Sequence, residues 1–217
     1  ARSVAADAAA AVEAARCAPG CIATLILPAD TAWNEADGPA TAKPPAPRPK
    51  INAEAIKAGA RALRAGSGAA ILLGGAALRG RALETAGRIA ACTGCKLFSE
   101  FNTARAECGA GPVNAPRLPF VVDQAPAVLA GTRELVLVGA ETPLSFFAYP
   151  GKPSVLVPEG WKVTEVADVG TDLLHALDAL ADEVGARQHA PADICPYAPP
   201  QAPTGAPTPD GVCAVIG

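Results

Sequence analysis

The 217 residues suffice to bury at least one full core, and half of them are apolar, yet alanine dominates, aromatics make up only 4% and methionine is absent. A formal charge of −3 without a basic cluster argues against nucleic acid or an anionic membrane surface as partner. No run approaches the ~20 uninterrupted apolar residues of a membrane span. Seven cysteines, odd in number and scattered, do not make a disulfide framework; they read as reduced thiols of a cytoplasmic protein, or of an organellar one if the source is eukaryotic.

Ser3 can cap a first helix in which Val4, Ala8, Ala11 and Ala15 form a stripe of small residues. Pro19-Gly20 ends it, and Cys21–Leu27 reads as a short apolar strand. Residues 37–50 then carry Pro39, Pro44, Pro45, Pro47 and Pro49, which remove backbone donors and favour extended chain, as in a linker. Ala53, Ile56, Ala60 and Leu63 line one face of the next helix, with Lys57, Arg61 and Arg64 on the other. Ala69–Leu73 is a strand, Leu78–Cys92 a helix stopped at Gly94, and Cys95–Ser99 a second strand. A long loop leads to a helix at about 118–129, shortened or kinked by Pro126. Glu134–Val138, Ser154–Val157 and Lys162–Val166 are three further strands. In the last long helix Leu173, Leu174, Leu177, Leu180, Ala181 and Val184 oppose Asp178, Asp182 and Glu183. A second Pro-rich stretch spans 187–207. Thr208 then caps a final helix with Pro209 at its first position and Val212, Val215 and Ile216 as its apolar face.

Apolar strands alternating with amphipathic helices predict an α/β fold: a doubly wound, Rossmann-like parallel sheet with helices on both faces. Residues 51–186 form that unit. Residues 1–36 and 208–217 read as incomplete pieces of two flanking α/β domains, joined to it by the linkers 37–50 and 187–207. Such a chain is not expected to be a working catalyst alone.

Three strings carry a family likeness: CIATLILPADTAWNEA at 21–36, AAILLGGAALRG at 69–80 and ELVLVGAETPLSFFAYPGKPS at 134–154. They resemble the thiamine-diphosphate-dependent 2-oxo acid enzymes, in particular the acetolactate synthase large subunit-like branch, with benzoylformate decarboxylase as a relative. The resemblance implies that 1–36 closes a pyrimidine-binding domain, that 51–186 is the central domain, and that 208–217 opens a diphosphate-binding domain. It implies thiamine diphosphate and Mg²⁺ as cofactors of the intact enzyme, a 2-oxo acid substrate, and a homodimer or homotetramer. In the family a glutamate of the pyrimidine-binding domain and a Gly-Asp-Gly…Asn motif serve the cofactor, in lyases and transferases alike. Here the only similar tripeptide is Pro209-Asp210-Gly211, so no catalytic or metal residue is carried over.

Gly74 and Gly75, at the end of the first central strand, stand where such folds bind nucleotides. The surrounding LGGAALRG is not GxGxxG, however, and glycine also serves simply to turn the chain. The loop 102–116 lacks the Gly-Met-His-Gly-like motif through which related domains bind FAD, so a plain turn is the preferred reading. Cys92 and Cys95 form a lone CxxC without a second pair, and read as buried packing, as do Cys17 and Cys21. His175 reads as a solvated helix residue, and His189 has no visible partner. Phe146, Phe147 and Tyr149 mark either a contact surface or an apolar anchor beneath their loop, the anchor being preferred. Two alternatives to the enzyme reading stand: a free nucleotide- or FAD-binding module using Gly74–Gly75, and a non-catalytic structural paralogue.

Overall fold

The computed structural model describes residues 2–198, 201 and 203–216. Ala1, Pro199, Pro200, Ala202 and Gly217, which the expected boundaries take in, lie outside them. The elements in order are α1 (Val4–Arg16), α2 (Asp30–Trp33), α3 (Ala53–Leu63), β1 (Ala69–Leu73), α4 (Gly80–Thr93), β2 (Lys96–Ser99), α5 (Ala125–Val128), β3 (Glu134–Val138), β4 (Lys162–Ala167), α6 (Leu173–Val184) and α7 (Pro209–Ile216). Short 3-10 turns precede β1 and α4.

The strands form one parallel sheet in the order β2-β1-β3-β4. Because side chains alternate across a strand, β1 feeds two cores. Ala69, Ile71 and Leu73 join Val136 and Val138 under α3, α4 and α6. Ala70 and Leu72 join Leu135 and Leu137 on the opposite face, covered by Leu118, Val122, Leu156 and the short helix α5. Both faces are thus closed, one by three long helices and the other by one short helix and its loops. The α/β, Rossmann-like architecture expected from the alternating pattern is present.

Local chemistry explains the helix ends. Asn52 Oδ1 accepts from the N–H groups of Glu54 and Ala55, at 3.0 and 3.3 Å, and so caps α3. Gly94 and Gly185 take left-handed backbone after α4 and α6. Asp172, not predicted as a cap, accepts from the His175 N–H at 3.1 Å. Thr208 caps α7 as expected, its hydroxyl accepting from Gly211 N–H at 3.1 Å. Ser3 instead donates to Asp7 Oδ2 at 2.8 Å, and gives α1 no side-chain cap.

Two expected strands are absent and one expected helix is shortened. Cys21–Leu27 is irregular and exposed, Ile22 being 96% accessible, because no strand among the described residues pairs with it. Ser154–Val157 contributes only an isolated bridge, Leu144 to Val155. It is trapped between Pro153 and Pro158, so the sheet has four strands rather than five. The 118–129 helix shrinks to α5: Leu118 donates to Ser99 O at 2.8 Å, continuing the strand edge, and Pro119 follows at once.

Residues 35–52 contain neither helix nor strand, yet they are fastened to the sheet domain. Arg48 Nη1 donates to the carbonyls of Gly170 and Thr171 at 3.3 and 3.1 Å. Residues 191–195 likewise lie against the domain, Ala192 N–H meeting Gly87 O at 3.0 Å and Ile194 bridging Val113. In α7 and α1 no residue is buried.

Candidate functional site

Parallel strands aim their carboxyl ends the same way, and loops there converge. The order β2-β1-β3 puts the switch point at the end of β1, where an open α/β sheet has its crevice. Gly74 and Gly75 leave β1 here, Glu100 follows β2, and Gly139 to Glu141 follow β3.

The glycines answer a backbone demand. Gly74 N–H donates to Val138 O at 3.0 Å and Gly139 N–H to Ala167 O at 2.8 Å, which draws the two exits together. A methyl group on Gly74 would collide with the Gly139 carbonyl oxygen and stand 2.6 Å from Glu100 Oε1. One on Gly139 would collide with Leu173 and lie 2.7 Å from Gly74 O. Gly75, at φ +52°, takes left-handed backbone that other residues rarely adopt.

Glu100 is the group sequence reasoning missed. Its own N–H donates to Leu73 O at 2.9 Å, so its position is fixed by β1. Burial pushes its carboxyl above the usual carboxylate range, and the charge of Glu141 pushes the same way. The backbone N–H groups of Gly75 and Glu141, aimed at it, pull in the opposite direction. The signal was an acid directly after an apolar strand, visible in KLFSE at 96–100.

Beside these acids lies a cleft of about 260 Å³. Leu72, Leu118 and Leu156 form its floor, with Phe101 and Phe146 on its wall. These rings belong to a chain of aromatic contacts: Phe101 to Phe120, tilted, at 6.1 Å, then edge to face Phe101 to Phe146 at 5.6 Å, Phe146 to Phe147 at 4.6 Å and Phe147 to Tyr149 at 6.0 Å. Phe146 and Phe147 are 54% and 53% accessible, so the rings pack on one another at the surface; the preferred anchor reading gives way to a surface ladder.

The remaining candidates take ordinary places. Cys95 is buried next to β2, and burial pushes its thiol up to about 11. Cys92 is half-buried, its Sγ 3.4 Å from Val184 O. Cys17 is also half-buried, but Cys21 is exposed, against the packing expected of it, because no strand among the described residues pairs with its segment. His175 and His189 are both exposed. Among the described residues no group of three or more His, Cys, Asp or Glu could hold a metal ion. None of the helices among the described residues is long and apolar enough to cross a membrane.

No protein-family model matches the chain. Over 222 aligned residues it is 42% identical to the "Putative acetolactate synthase large subunit IlvX" of Mycobacterium tuberculosis (strain ATCC 25618 / H37Rv), an alignment that takes in 100% of this chain and 41% of that protein. The chain thus spans about two fifths of the curated relative it matches. Among solved structures it is similar to "a putative thiamin diphosphate-dependent enzyme isolated from Mycobacterium smegmatis", with a TM-score of 0.62 and 23% identity, covering 92% of this chain and 40% of the other. That likeness is one of fold.

Proposed function

We propose that this chain, acetolactate synthase large subunit-like in sequence over its whole length, forms the central domain and adjoining edges of a thiamine-diphosphate-dependent enzyme that decarboxylates or ligates 2-oxo acids. The observation that carries the reading is the breadth of the likeness on this side and its narrowness on the other: all of this chain, 41% of the relative. The central domain is the sheet unit at 51–186. The stretches 1–36 and 208–217 belong to the pyrimidine-binding and diphosphate-binding domains on either side, with 37–50 and 187–207 as linkers.

In this reading the chain supplies scaffold rather than catalysis. Thiamine diphosphate with Mg²⁺ brings the carbon–carbon chemistry when it binds, and its ligands lie elsewhere in the enzyme. Exposed apolar groups at Ile22, Ile26, Leu27, Val215 and Ile216 then have a natural cover, the neighbouring domains. The complete enzyme is a homodimer or homotetramer in the cytoplasm.

The test is cofactor binding by calorimetry and thermal shift. The chain alone is expected to ignore thiamine diphosphate and Mg²⁺. Joined to the sequences matching the rest of the relative, it should be stabilised by them by about 3 kcal/mol at a hundredfold excess over Kd, and should release carbon dioxide from a 2-oxo acid. Cofactor binding by the chain alone, or none by the joined protein, overturns the proposal.

A further inference from the structure

We propose that the cleft between Glu100, Glu141 and the Phe101–Phe146 pair is a binding site for a small organic cation with an apolar body. It occupies the carboxyl end of the sheet at the β1–β3 switch point, where the topology itself opens a crevice. Its volume of about 260 Å³ falls below the ~300–1,000 Å³ of drug-sized pockets, so the ligand is small.

Charge selects its sign. Among the described residues, Glu100 and Glu141 are the only ionisable groups lining the cleft, and no Lys, Arg or His lines it. An anion would meet two carboxylates and no cation. The backbone donors that could receive one, Gly75 N–H and Glu141 N–H, already point at Glu100. At Gly74 the chain itself is tightly packed, a methyl group there meeting the Gly139 carbonyl and Glu100. A flavin or nucleotide at Gly74 and Gly75 would find no positive side chain among the residues lining this cleft.

The walls select the rest of the ligand. Leu72, Leu118 and Leu156 offer an apolar floor. Phe101 and Phe146 meet edge to face at 5.6 Å, and rings so placed attract a cation within about 6 Å of a centroid. An ammonium group reaching the carboxylates while its hydrocarbon lies on the leucines matches both the charged and the apolar parts of the lining.

The experiment titrates the full chain with phenethylammonium, phenethyl alcohol and 3-phenylpropionate, followed by NMR shifts of the Phe101, Phe146 and Leu156 signals. Phenethylammonium is expected to bind at least about fivefold more tightly than the alcohol, from carboxylate and ring attraction together, and the propionate not to bind. Glu141→Gln, at an exposed position that leaves the glycine turn intact, should cut that preference to within about twofold. Phe146→Ala should weaken ammonium and alcohol alike, with far-UV circular dichroism confirming that both variants fold. FAD and ADP should leave the spectrum unchanged. Equal binding of the propionate, no saturable binding of the ammonium, or an undiminished preference in Glu141→Gln overturns the proposal. None of these readouts depends on thiamine diphosphate.

Discussion

Replacing Gly74 by alanine isolates the reason for the glycine turn. Gly74 lies at φ −139°, ψ 172°, extended backbone that any residue adopts, so the substitution carries no dihedral strain. Its whole cost is the methyl group. Glu100 can swing aside from it, but the Gly139 carbonyl cannot, because both strand exits are pinned by hydrogen bonds of 3.0 and 2.8 Å. Overpacking of a tight core costs about 1–3 kcal/mol, and an obstacle made of backbone belongs at the upper end. A loss of about 3 kcal/mol is therefore expected, lowering Tm by roughly 10 °C for a domain of this size. Gly94→Ala is the control. Gly94 has φ +75° and nothing within 4 Å, so it risks only the left-handed backbone penalty of about 1–2 kcal/mol. Urea unfolding followed by far-UV circular dichroism compares the two. A Gly74→Ala variant no less stable than Gly94→Ala would refute the steric account and return the glycine to a ligand.

Other expectations follow from single groups. Leu177→Ala removes a fully buried side chain of α6 and should cost about 2–5 kcal/mol by urea midpoint, whereas Leu177→Met should cost under about 1.5; a loss below about 1 kcal/mol for alanine would mean that α6 is not packed. In timed iodoacetamide labelling with mass spectrometry, exposed Cys21 and Cys108 should react first and Cys95, its thiol pushed up to about 11, last; early labelling of Cys95 would contradict its burial. Glu100 binds its proton more tightly folded than unfolded, so ionising it weakens the fold as pH rises from the usual carboxylate range through its raised value, and the weakening is complete above that. The stability of Glu100→Gln relative to the parent should accordingly grow with pH across that window and then level off; a difference that shrinks as pH rises would reverse the assignment.

The sequence was readable where one residue pattern had one physical outcome. AAILL and ELVLV are short runs rich in apolar residues, each ended by a glycine, and β1 and β3 occupy them residue for residue. The helical period of α3 and α6 was equally plain. Apolar runs misled where pairing decides: Cys21–Leu27 is as hydrophobic as β1, but a strand exists only against a partner, and Ser154–Val157 lies between two prolines. The site was hidden for a related reason. Glu100 and Glu141 are far apart in sequence and look like two ordinary loop acids. Only the β2-β1-β3 order sets them on either side of the β1 exit. The rings of Phe146 and Phe147 invited burial, yet their partners are other rings at the surface, through Phe101, which drew no notice in the sequence.

A glycine pair after the first strand is commonly read as a phosphate cradle, because small residues let an anion approach backbone N–H groups. Here the approach is made by backbone and by a side chain of the chain itself. The Gly139 carbonyl takes the space in front of Gly74, and the Glu100 carboxylate faces the Gly75 N–H that a phosphate oxygen would seek. An internal acid meets the same donors that an external anion would, and adds a negative charge against any newcomer. Close packing is by itself a sufficient reason for the glycines, and in the proposed site the acids beside them turn the electrostatic preference of the crevice from anion to cation. Fold alone would have pointed to the opposite charge; the residues at the strand ends decide it.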